Sequence, residues 1–585
     1  MKPTIVRRRG LALASLTATM GLCLGTASVV SAPAQSAEPA GDCAARVPVR
    51  VVKGDAVTGL TVTGVDSGTR PEAFTGEVLG ILDDGIAPDL DLVIMRLSSP
   101  EIDRVGGIWA GMSGSPVYGP DGELIGAVAY GLSFGPSPVA GVTPFVDMAS
   151  YLGSAPVAKV DVGARVARVI AQNSDVTAAQ AERGFAQLPM PTGVSGLSQR
   201  RLDQAAQQAA THEWLPEATY RMGAAAAPGD AAAGPETIVA GGNLVASVSY
   251  GDVTQAGVGT ATSVCNGRVV GFGHPMTFLG KTTLTLHPAD AIHIQDDRVF
   301  GPYKLANVGS PAGWITDDRL AGVTGSFGAL PPSAGITSSV FYGDRSRTGT
   351  SHVSVPIAAA GTTFFQLLQN HDRVLDARSA GSEVLSWTIT GQEKGVGPFS
   401  LSVADRYASD FDIAFDSAFD LANFVFDLSM ITGVTLDSVE MDSVVRDDSS
   451  TWEMKRVEQR RAGQWRAVNR RNPAVARAGQ ELRLRAVLVS GADTTTAPLP
   501  LTIPRKAPRQ TAQLLVMGGT SVFSEDEFPG SLAQAKRFVR NHVRNDQLQV
   551  QLDAFGRRGE IRRVNETAPQ EKVVYGERFL RVRIR

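Results

Sequence analysis

Three short runs decide the fold class: Thr75-Gly-Glu-Val-Leu-Gly-Ile81, Leu90-Asp-Leu-Val-Ile-Met-Arg-Leu97 and Leu124-Ile-Gly-Ala-Val-Ala-Tyr130. Each is rich in aliphatic and β-branched residues, and Gly, Pro and Asp separate the runs at fairly regular intervals. Two earlier runs, Val47 to Val52 and Leu60 to Val65, have the same character. Short strands at this spacing favour a barrel or sandwich over alternating βα units.

A second set of strands is predicted from Ile238 to about Ala329. Its clearest signal is Asn266-Gly267, which separates two strand-like runs and is typical of a tight β-hairpin. The intervening stretch, Val160 to Thr237, is rich in Ala and Gln and predicts a linker with a helix around Ser198 to His212.

Beyond Ile336 the alternating runs, such as Glu481 to Val489, favour a β-sandwich up to about Leu501. The apolar and acidic stretch from Phe411 to Leu428 interrupts it. The remainder, from Ala507, combines a strand at Ala512 to Met517 with a helix around Ser531 to Asn545, which indicates a small α/β region.

The first 37 residues have the pattern of a cleaved secretory signal. Four basic residues precede an apolar run from Leu11 to Val30, and the small-residue stretch Ser31 to Ala37 follows. We therefore expect a secreted, extracellular protein, with an uncleaved membrane anchor as the alternative. No later stretch reaches the length of an uncharged membrane span.

Net charge is unevenly distributed along the 585 residues, which carry −3 overall. Residues 451–585 contain 26 Lys and Arg against 13 Asp and Glu, a net of +13, whereas residues 38–450 carry −20. The overall balance gives no reason to expect nucleic acid as a partner. The basic region could bind an anionic cell-envelope polymer, fold back on its own acidic part, or simply be a solvated surface.

Export would leave Cys43 and Cys265 in a compartment that permits disulfides. Only one pairing is then available, and the alternative is two unrelated small apolar residues. His287 and His293 lie close together, but they do not form a His-x-x-x-His pair. We therefore predict no metal site and no cofactor.

Ser113 is the first candidate catalytic residue, in Gly106-Gly-Ile-Trp-Ala-Gly-Met-Ser-Gly-Ser-Pro-Val-Tyr118. A serine hydroxyl is a weak nucleophile and needs a neighbouring base and a place for the developing oxyanion. Gly111 lets the backbone bend so that its N–H and that of Ser113 point at one spot, forming an oxyanion hole. Gly114 allows another chain segment to approach closely. A Gly/Ser turn without chemistry is the alternative interpretation.

His274 is the candidate base, in Val269-Val-Gly-Phe-Gly-His-Pro275. It follows a buried-looking strand and is flanked by Gly273 and Pro275, a placement that suits a positioned imidazole. Its distance from Ser113 along the chain is no obstacle, because folding assembles a catalytic triad from residues in any order. The alternative is a histidine that merely satisfies its hydrogen bonds at a strand end.

On these residues the chain resembles the stage IV sporulation protein B type serine peptidases, a family of the chymotrypsin-like group. The run from Gly106 to Val117, with Gly122-Glu-Leu-Ile-Gly-Ala-Val128, is similar to the family's nucleophile segment. Val270-Gly-Phe-Gly-His-Pro275 resembles its histidine segment. Gly309 to Gly328, with Thr316-Asp-Asp-Arg319 and Gly322-Val-Thr-Gly325, resembles the glycine-rich stretch that follows. The resemblance implies a chymotrypsin-like double β-barrel with Ser113 as nucleophile and His274 as general base.

Two departures separate the chain from that family. The family places its histidine before its serine, whereas here the serine segment comes first, as if two half-barrels had been permuted. The family's acid lies just upstream of the serine segment, where this chain has Leu97-Ser-Ser-Pro100. Asp91, Glu101 and Asp103 lie nearby. Asp91 is the candidate acid because it heads a strand that resembles the acid-bearing strand of chymotrypsin-like enzymes; a solvated strand end or a Ser–His dyad without an acid are the alternatives.

The sequence thus predicts a secreted serine endopeptidase that cleaves a protein or peptide substrate through an acyl-enzyme on Ser113. The resemblance implies regulatory or self-directed cleavage. The alternative is a catalytically silent secreted scaffold that binds a cell-envelope partner. The expected segments are a signal peptide at 1–37, a Ser-bearing half-barrel at 44–155, a linker at 156–238, a His-bearing half-barrel at 239–335, a β-sandwich at 336–505 and a basic α/β region at 506–585.

Overall fold

The computed structural model describes residues 50–132, 135–150, 159–160, 168, 171–172, 185–187, 192–216, 219–226, 233–297, 301–523, 529–556 and 559–585. All of them belong to one compact unit, residues 42–585. The predicted signal peptide, Cys43 and much of the predicted linker lie outside the described residues.

The first barrel is closed by six antiparallel strands. They are β1 (Ala56–Thr61), β2 (Glu72–Ala87), β3 (Leu90–Ser98), β4 (Pro116–Tyr118), β5 (Leu124–Leu132) and β6 (Val139–Pro144), with helices α1 (Pro100–Val105) and α2 (Phe145–Ser150). The order is β4-β1-β2-β3-β6-β5, and pairing of β4 with β5 completes the ring. The three strands predicted between residues 75 and 130 are therefore confirmed, whereas the strand expected at 60–65 begins earlier, at Ala56, and ends at Thr61.

The described parts of the linker add strands to both barrels. They are β7 (Lys159–Val160), β8 (Phe185–Gln187), β9 (Thr192–Val194), α3 (Gln199–Ala206) and β10 (Thr219–Arg221). The pair β8 and β7 extends the first barrel from β5, whereas β9 joins the sheet of the second barrel. Helix α3 starts as predicted, because the Ser198 hydroxyl accepts a hydrogen bond from Arg201 N at 3.3 Å. It is shorter than the predicted helix.

The second barrel also has six antiparallel strands. The segment contains β11 (Asn243–Gly251), β12 (Gln255–Cys265), β13 (Arg268–Gly271), β14 (Gly280–His287), β15 (Ala289–Gln295), β16 (Tyr303–Val308), β17 (Gly313–Arg319) and β18 (Gly322–Phe327). The ring runs β12-β13-β18-β17-β14-β11, and β15 and β16 form a separate hairpin. The predicted hairpin at Asn266-Gly267 joins β12 to β13, and both residues have the positive φ (50° and 72°) that such a turn requires.

The sheet of the second barrel continues into a helix-covered layer through β11. Its members are β19 (Ala334–Tyr342), β20 (Arg345–Val353), α4 (Ala359–Leu375), β21 (Gly381–Glu393), β22 (Gly397–Ser409), α5 (Ile413–Asp416), α6 (Phe419–Met430) and β23 (Val434–Arg446). The strands follow β11 in the order β20-β19-β23-β21-β22. The apolar and acidic stretch at 411–428 forms α5 and α6. These helices and α4 share one apolar core with the sheet, whose largest members include Phe364, Phe365, Phe415 and Trp387.

A two-sheet sandwich follows, built from β24 (Trp452–Arg461), β25 (Gln464–Ala467), β26 (Ala474–Ala476), β27 (Glu481–Ser490), β28 (Asp493–Thr502), β29 (Thr511–Gly518), α7 (Leu532–Asn541), β30 (Leu548–Gly556), β31 (Gly559–Glu566), β32 (Val574–Tyr575) and β33 (Glu577–Ile584). One sheet has the order β25-β24-β27-β28 and the other β26-β33-β29-β30-β31. The predicted boundary at residue 505 falls inside this sandwich, because the apolar faces of the alternating strands before it pack against strands that come after it.

The predicted fold class is confirmed: the chain is mainly β, with a double β-barrel followed by a sandwich. Among the described helices none is both long and apolar enough to cross a membrane.

Candidate active site

Ser113 lies in the loop between α1 and β4, pressed against the second barrel. The N–H of Thr260 on β12 donates to the Ser113 carbonyl at 2.8 Å, and the Thr262 hydroxyl donates to the Gly114 carbonyl at 2.7 Å. Gly114 has φ +95°, and a Cβ there would lie 1.9 Å from Thr260 O. Glycine is therefore required where the loop crosses β12.

His274 follows β13 of the second barrel, and its imidazole lies next to Ser113. Its Nε2 lies 2.8 Å from Ser113 Oγ, although 161 residues separate the two. The turn is also tied to the first barrel, because the Thr143 hydroxyl on β6 donates to the Gly273 carbonyl at 2.6 Å. Ser113 is 1% exposed and His274 0% exposed, so the pair lies inside the interface between the barrels.

The hydrogen bonds of His274 assign its tautomer. Nδ1 lies 2.8 Å from the Pro275 carbonyl, which can only accept, so Nδ1 carries the proton. Burial lowers the pKa of His274 to about 4, against the opposing effects of the Pro275 carbonyl and the Asp318 charge. The ring is therefore neutral at pH 7, and its unprotonated Nε2 can accept the proton of the Ser113 hydroxyl.

Two backbone N–H groups beside Ser113 are free. Among the described residues, neither Gly111 N nor Ser113 N has a hydrogen-bond acceptor. The Ala110 carbonyl accepts from Lys304 N at 2.9 Å, and the Met112 carbonyl accepts from Ser115 N at 3.0 Å. In a trans peptide the N–H points opposite to the C=O. Both carbonyls are thus bound to other backbone N–H groups, and the two N–H groups on the opposite side of these peptides are available to an oxyanion.

Asp318 on β17 supports the turn that carries the histidine, a role that its place in the sequence did not predict. Its carboxylate is buried and accepts the N–H groups of Met276 and Thr277, each at 2.8 Å, and the Thr277 hydroxyl at 2.7 Å. It therefore fixes the backbone immediately after His274. Two adjacent aspartates in a strand are unusual, and this was the signal that the sequence offered.

The acids proposed from the sequence lie elsewhere. Asp91 is exposed at the start of β3 and accepts a hydrogen bond from Asp84 N at 2.9 Å. Its charge acts on Asp147 of α2, whose pKa is raised to about 6 by burial and by Asp91. Glu101 pairs with Arg104 at 2.5 Å, and Asp103 is exposed on α1. Within the described residues, none of these three carboxylates makes a hydrogen bond to His274.

A second Ser–His pair lies in the core of the second barrel. Ser247 Oγ is 2.8 Å from His287 Nε2, and His287 Nδ1 is 3.0 Å from the Gly309 carbonyl. Both side chains are fully buried. Ser247 sits inside β11, where its backbone lies in register with both β12 and β14, so this pair lacks the loop geometry that surrounds Ser113.

Among the described residues, no three His, Cys, Asp or Glu side chains gather in a way that could hold a metal ion. Cys265, at the end of β12, is disulfide-bonded. Because Cys43 lies outside the described residues, the predicted pairing of these two cysteines stays a prediction.

No family model, no curated protein and no solved structure matches this chain.

Proposed function

We propose that this protein is a secreted serine endopeptidase that hydrolyses a peptide bond through an acyl-enzyme on Ser113. One observation carries the proposal: Ser113 Oγ lies 2.8 Å from a neutral imidazole nitrogen of His274, in a loop whose Gly111 and Ser113 N–H groups have no acceptor among the described residues. A nucleophile, a base and two oxyanion donors are the minimum for acyl transfer. Secretion is proposed from the N-terminal pattern alone.

In the first step Ser113 Oγ would attack the carbonyl carbon of the substrate while its proton passes to His274 Nε2. The N–H groups of Gly111 and Ser113 would bind the oxyanion of the tetrahedral intermediate. The imidazolium would keep its Nδ1–H on the Pro275 carbonyl and be stabilised by the nearby negative charge of Asp318. It would then give the Nε2 proton to the leaving amine as the peptide C–N bond breaks.

In the second step His274 would take a proton from a water molecule that attacks the acyl carbon. The collapse of the second tetrahedral intermediate returns that proton to Ser113 Oγ and releases the carboxylate product. The neutral tautomer that starts the cycle is restored, because Nδ1 stays bonded to the Pro275 carbonyl throughout.

The burial of the pair favours narrow, regulated or self-directed cleavage over broad digestion. With Ser113 1% and His274 0% exposed, a substrate could reach them only after the surrounding chain moves. A small probe should therefore react more readily than a folded protein substrate.

Covalent labelling by phenylmethanesulfonyl fluoride or a small fluorophosphonate, read by intact mass, tests this proposal. We expect one adduct, located on Ser113 by peptide mapping, and its loss in Ser113→Ala and His274→Ala. The matched control is Ser247→Ala, which removes the other buried Ser–His pair and should leave labelling unchanged. Absence of labelling in the folded, unmodified protein, or an adduct that persists in Ser113→Ala, would contradict the proposal.

The same burial also favours the second candidate, a catalytically silent scaffold with a closed site. In that case the folded protein should resist both probes over hours, while binding of a cell-envelope partner would involve the basic C-terminal region. Charged contacts between that region and the helix-covered layer include His542 with Asp405 at 2.8 Å and Asp546 with Arg406 at 3.2 Å. Residues 451–585 carry a net charge of +13, and this is the property that would attract an anionic polymer.

A further inference from the structure

Lys304 on β16 is a buried lysine that the proposed mechanism does not use. It is 2% exposed, and its ammonium donates to Asn243 Oδ1 at 2.9 Å. Among the described residues, no carboxylate lies within ion-pair distance of it. Burying an ammonium without an ionic partner is costly, so its position requires an explanation.

The backbone of Lys304 holds the peptide group that supplies the first oxyanion donor. Lys304 N donates to the Ala110 carbonyl at 2.9 Å, and Ala110 N donates to the Pro302 carbonyl at 2.8 Å. Because the 110–111 peptide is planar and trans, its N–H must point away from the Lys304 N–H that binds its carbonyl. Loss of this contact would free the peptide to rotate and remove the Gly111 donor.

The side chain of Lys304 packs directly on Gly111. A Cβ built on Gly111 would lie 2.8 Å from Lys304 Cβ and 3.6 Å from its Cδ. The ammonium is only two bonds beyond that Cδ. The buried stem of Lys304 thus carries a positive charge close to Gly111, in a region where burial leaves that charge weakly screened.

Asn243 connects the ammonium to the rest of the interface. Its Nδ2 donates to the Gly68 and Ala289 carbonyls, each at 2.9 Å. It lies opposite Thr260 in the β11–β12 ladder, and the Thr260 hydroxyl donates to the Gly111 carbonyl at 3.0 Å. The carbonyls of Ala110 and Gly111, on either side of the Gly111 N–H, are thus held by one buried network.

We propose that Lys304 is a positioning residue for the oxyanion hole, whose ammonium, held by Asn243, anchors β16 on the 110–111 peptide and adds positive charge beside the developing oxyanion. The inference rests on the proposed function. It predicts that the reaction at Ser113 depends on the protonation of Lys304 as well as on that of His274.

The surroundings of Lys304 suit such a dependence. Burial lowers its pKa to about 7, partly offset by the charge of Glu72 on β2. The Glu72 carboxylate itself accepts the Thr63 hydroxyl at 2.7 Å. The other packed neighbours, Asn243 on β11 and Gly111 in the loop, are uncharged, and Asp290 on β15 lies beside Gly68 at the far end of the network.

The test is the second-order rate of Ser113 labelling by a small fluorophosphonate between pH 5 and 9, in the full chain. For the unmodified protein we expect the rate to fall as pH rises through about 7. Lys304→Met should be at least tenfold slower at pH 6 and should lack this fall. Lys304→Arg should keep its rate above pH 7, because a guanidinium stays charged. The control is the exposed Lys394→Met, which should match the unmodified protein.

Asn243→Asp provides a second variant if Lys304 substitutions do not fold, as judged by circular dichroism. A carboxylate beside the ammonium should raise the pKa of Lys304 and move the alkaline fall to higher pH. Uniform slowing in Lys304→Met with the alkaline fall retained would show a packing role only and overturn the inference, as would an unchanged pH profile in Asn243→Asp. If the unmodified protein is not labelled at any pH, the peptidase proposal itself fails and this inference falls with it.

Discussion

Asp318 accepts two hydrogen bonds from Thr277, one from its backbone N–H at 2.8 Å and one from its hydroxyl at 2.7 Å. The carboxylate thus holds the residues just beyond His274 rather than the imidazole. Its charge still favours the imidazolium. Asp318 therefore has two separable effects, on the position of the ring and on its pKa.

Asp318→Asn should slow labelling of Ser113 by about tenfold to a hundredfold, because an amide cannot accept all three hydrogen bonds and carries no charge. Losing that charge should also lower the pKa of His274 further and shift the acid limb of the rate profile to lower pH. Thr277→Val, which removes one hydroxyl and no charge, is the control. It should slow the reaction less and leave the acid limb in place; equal effects of the two variants would argue against the electrostatic part.

Gly114→Ala should disrupt the interface between the barrels. A Cβ there would lie 1.9 Å from Thr260 O and 2.6 Å from Phe272 N, both backbone atoms that cannot move aside cheaply. Gly122→Ala is the matched control, since Gly122 also has a positive φ (+80°) but nothing within 4 Å of the added Cβ. We expect a loss of more than about 3 kcal/mol in unfolding free energy for Gly114→Ala and about 1 kcal/mol for Gly122→Ala, measured by urea denaturation. Similar losses would mean that Gly114 matters only for its φ.

The acid limb of Ser113 labelling should lie near pH 4 rather than 6.5. Burial lowers the pKa of His274 to about 4, so the neutral ring that accepts the serine proton persists down to that pH. The same shift makes protonation unfavourable in the folded state. Its contribution to stability is fully present above pH 6.5 and is lost as pH falls toward 4.

Rates measured from pH 3.5 to 7, with circular dichroism at each pH, separate the two effects. If the acid limb of the labelling rate lies near pH 6.5 while the protein is still folded, His274 is more hydrated than its burial indicates.

The pair His371–Glu383 should stabilise the helix-covered layer within a limited pH range. Their Nε2 and Oε2 atoms lie 3.1 Å apart, and both side chains are fully buried. Burial opposes both charges, but their mutual attraction prevails, raising the pKa of His371 and lowering that of Glu383. The contribution of His371 is complete below pH 6.5 and is lost as pH rises through its raised pKa, whereas that of Glu383 is complete above pH 4.5 and is lost at lower pH.

Glu383→Gln should cost about 3–5 kcal/mol of unfolding free energy at pH 6, because it leaves a buried histidine without its ionic partner. Glu440→Gln, an exposed acid on β23, should cost less than about 0.5 kcal/mol. The difference should shrink as pH rises through the raised pKa of His371, where the histidine loses its charge. A pH-independent cost would indicate lost packing instead.

The strands were the most predictable part of the fold, because the alternation of apolar residues reports directly which face is buried. Glu481–Ser490 and Leu90–Ser98 were found within a residue or two of their predicted ends. The helix at Phe419–Met430 was not predicted, since its apolar residues suit a strand as well as a helix. Which sheet faces which is decided by contacts far apart in sequence, and so the boundary expected at residue 505 fell inside the sandwich.

The candidate site was predictable only in part. Gly111 and Gly114 mark the Ser113 loop in the sequence because both have positive φ, a backbone conformation that favours glycine. Asp318 acts through hydrogen bonds to backbone N–H groups of Met276 and Thr277, and backbone atoms are the same in every residue. Lys304 lies near Gly111 only because an isolated bridge joins Ala110 to Tyr303, a tertiary contact without a local pattern.

Strand β11 belongs at once to the His274 barrel and to the helix-covered layer, since Ser249–Gly251 pair with Ser351–Val353 while Val245–Ser247 pair with β14. One strand thus runs from one body into the other, with an irregularity in its pairing to β12 between Ser247 and Ser249. We therefore expect a partner bound to the C-terminal layers to influence the barrel that carries His274. The C-terminal half of the chain is in this sense structurally coupled to the candidate site. Cutting the chain near residue 335 would remove β20 and leave Ser249–Gly251 of β11 without this neighbouring strand.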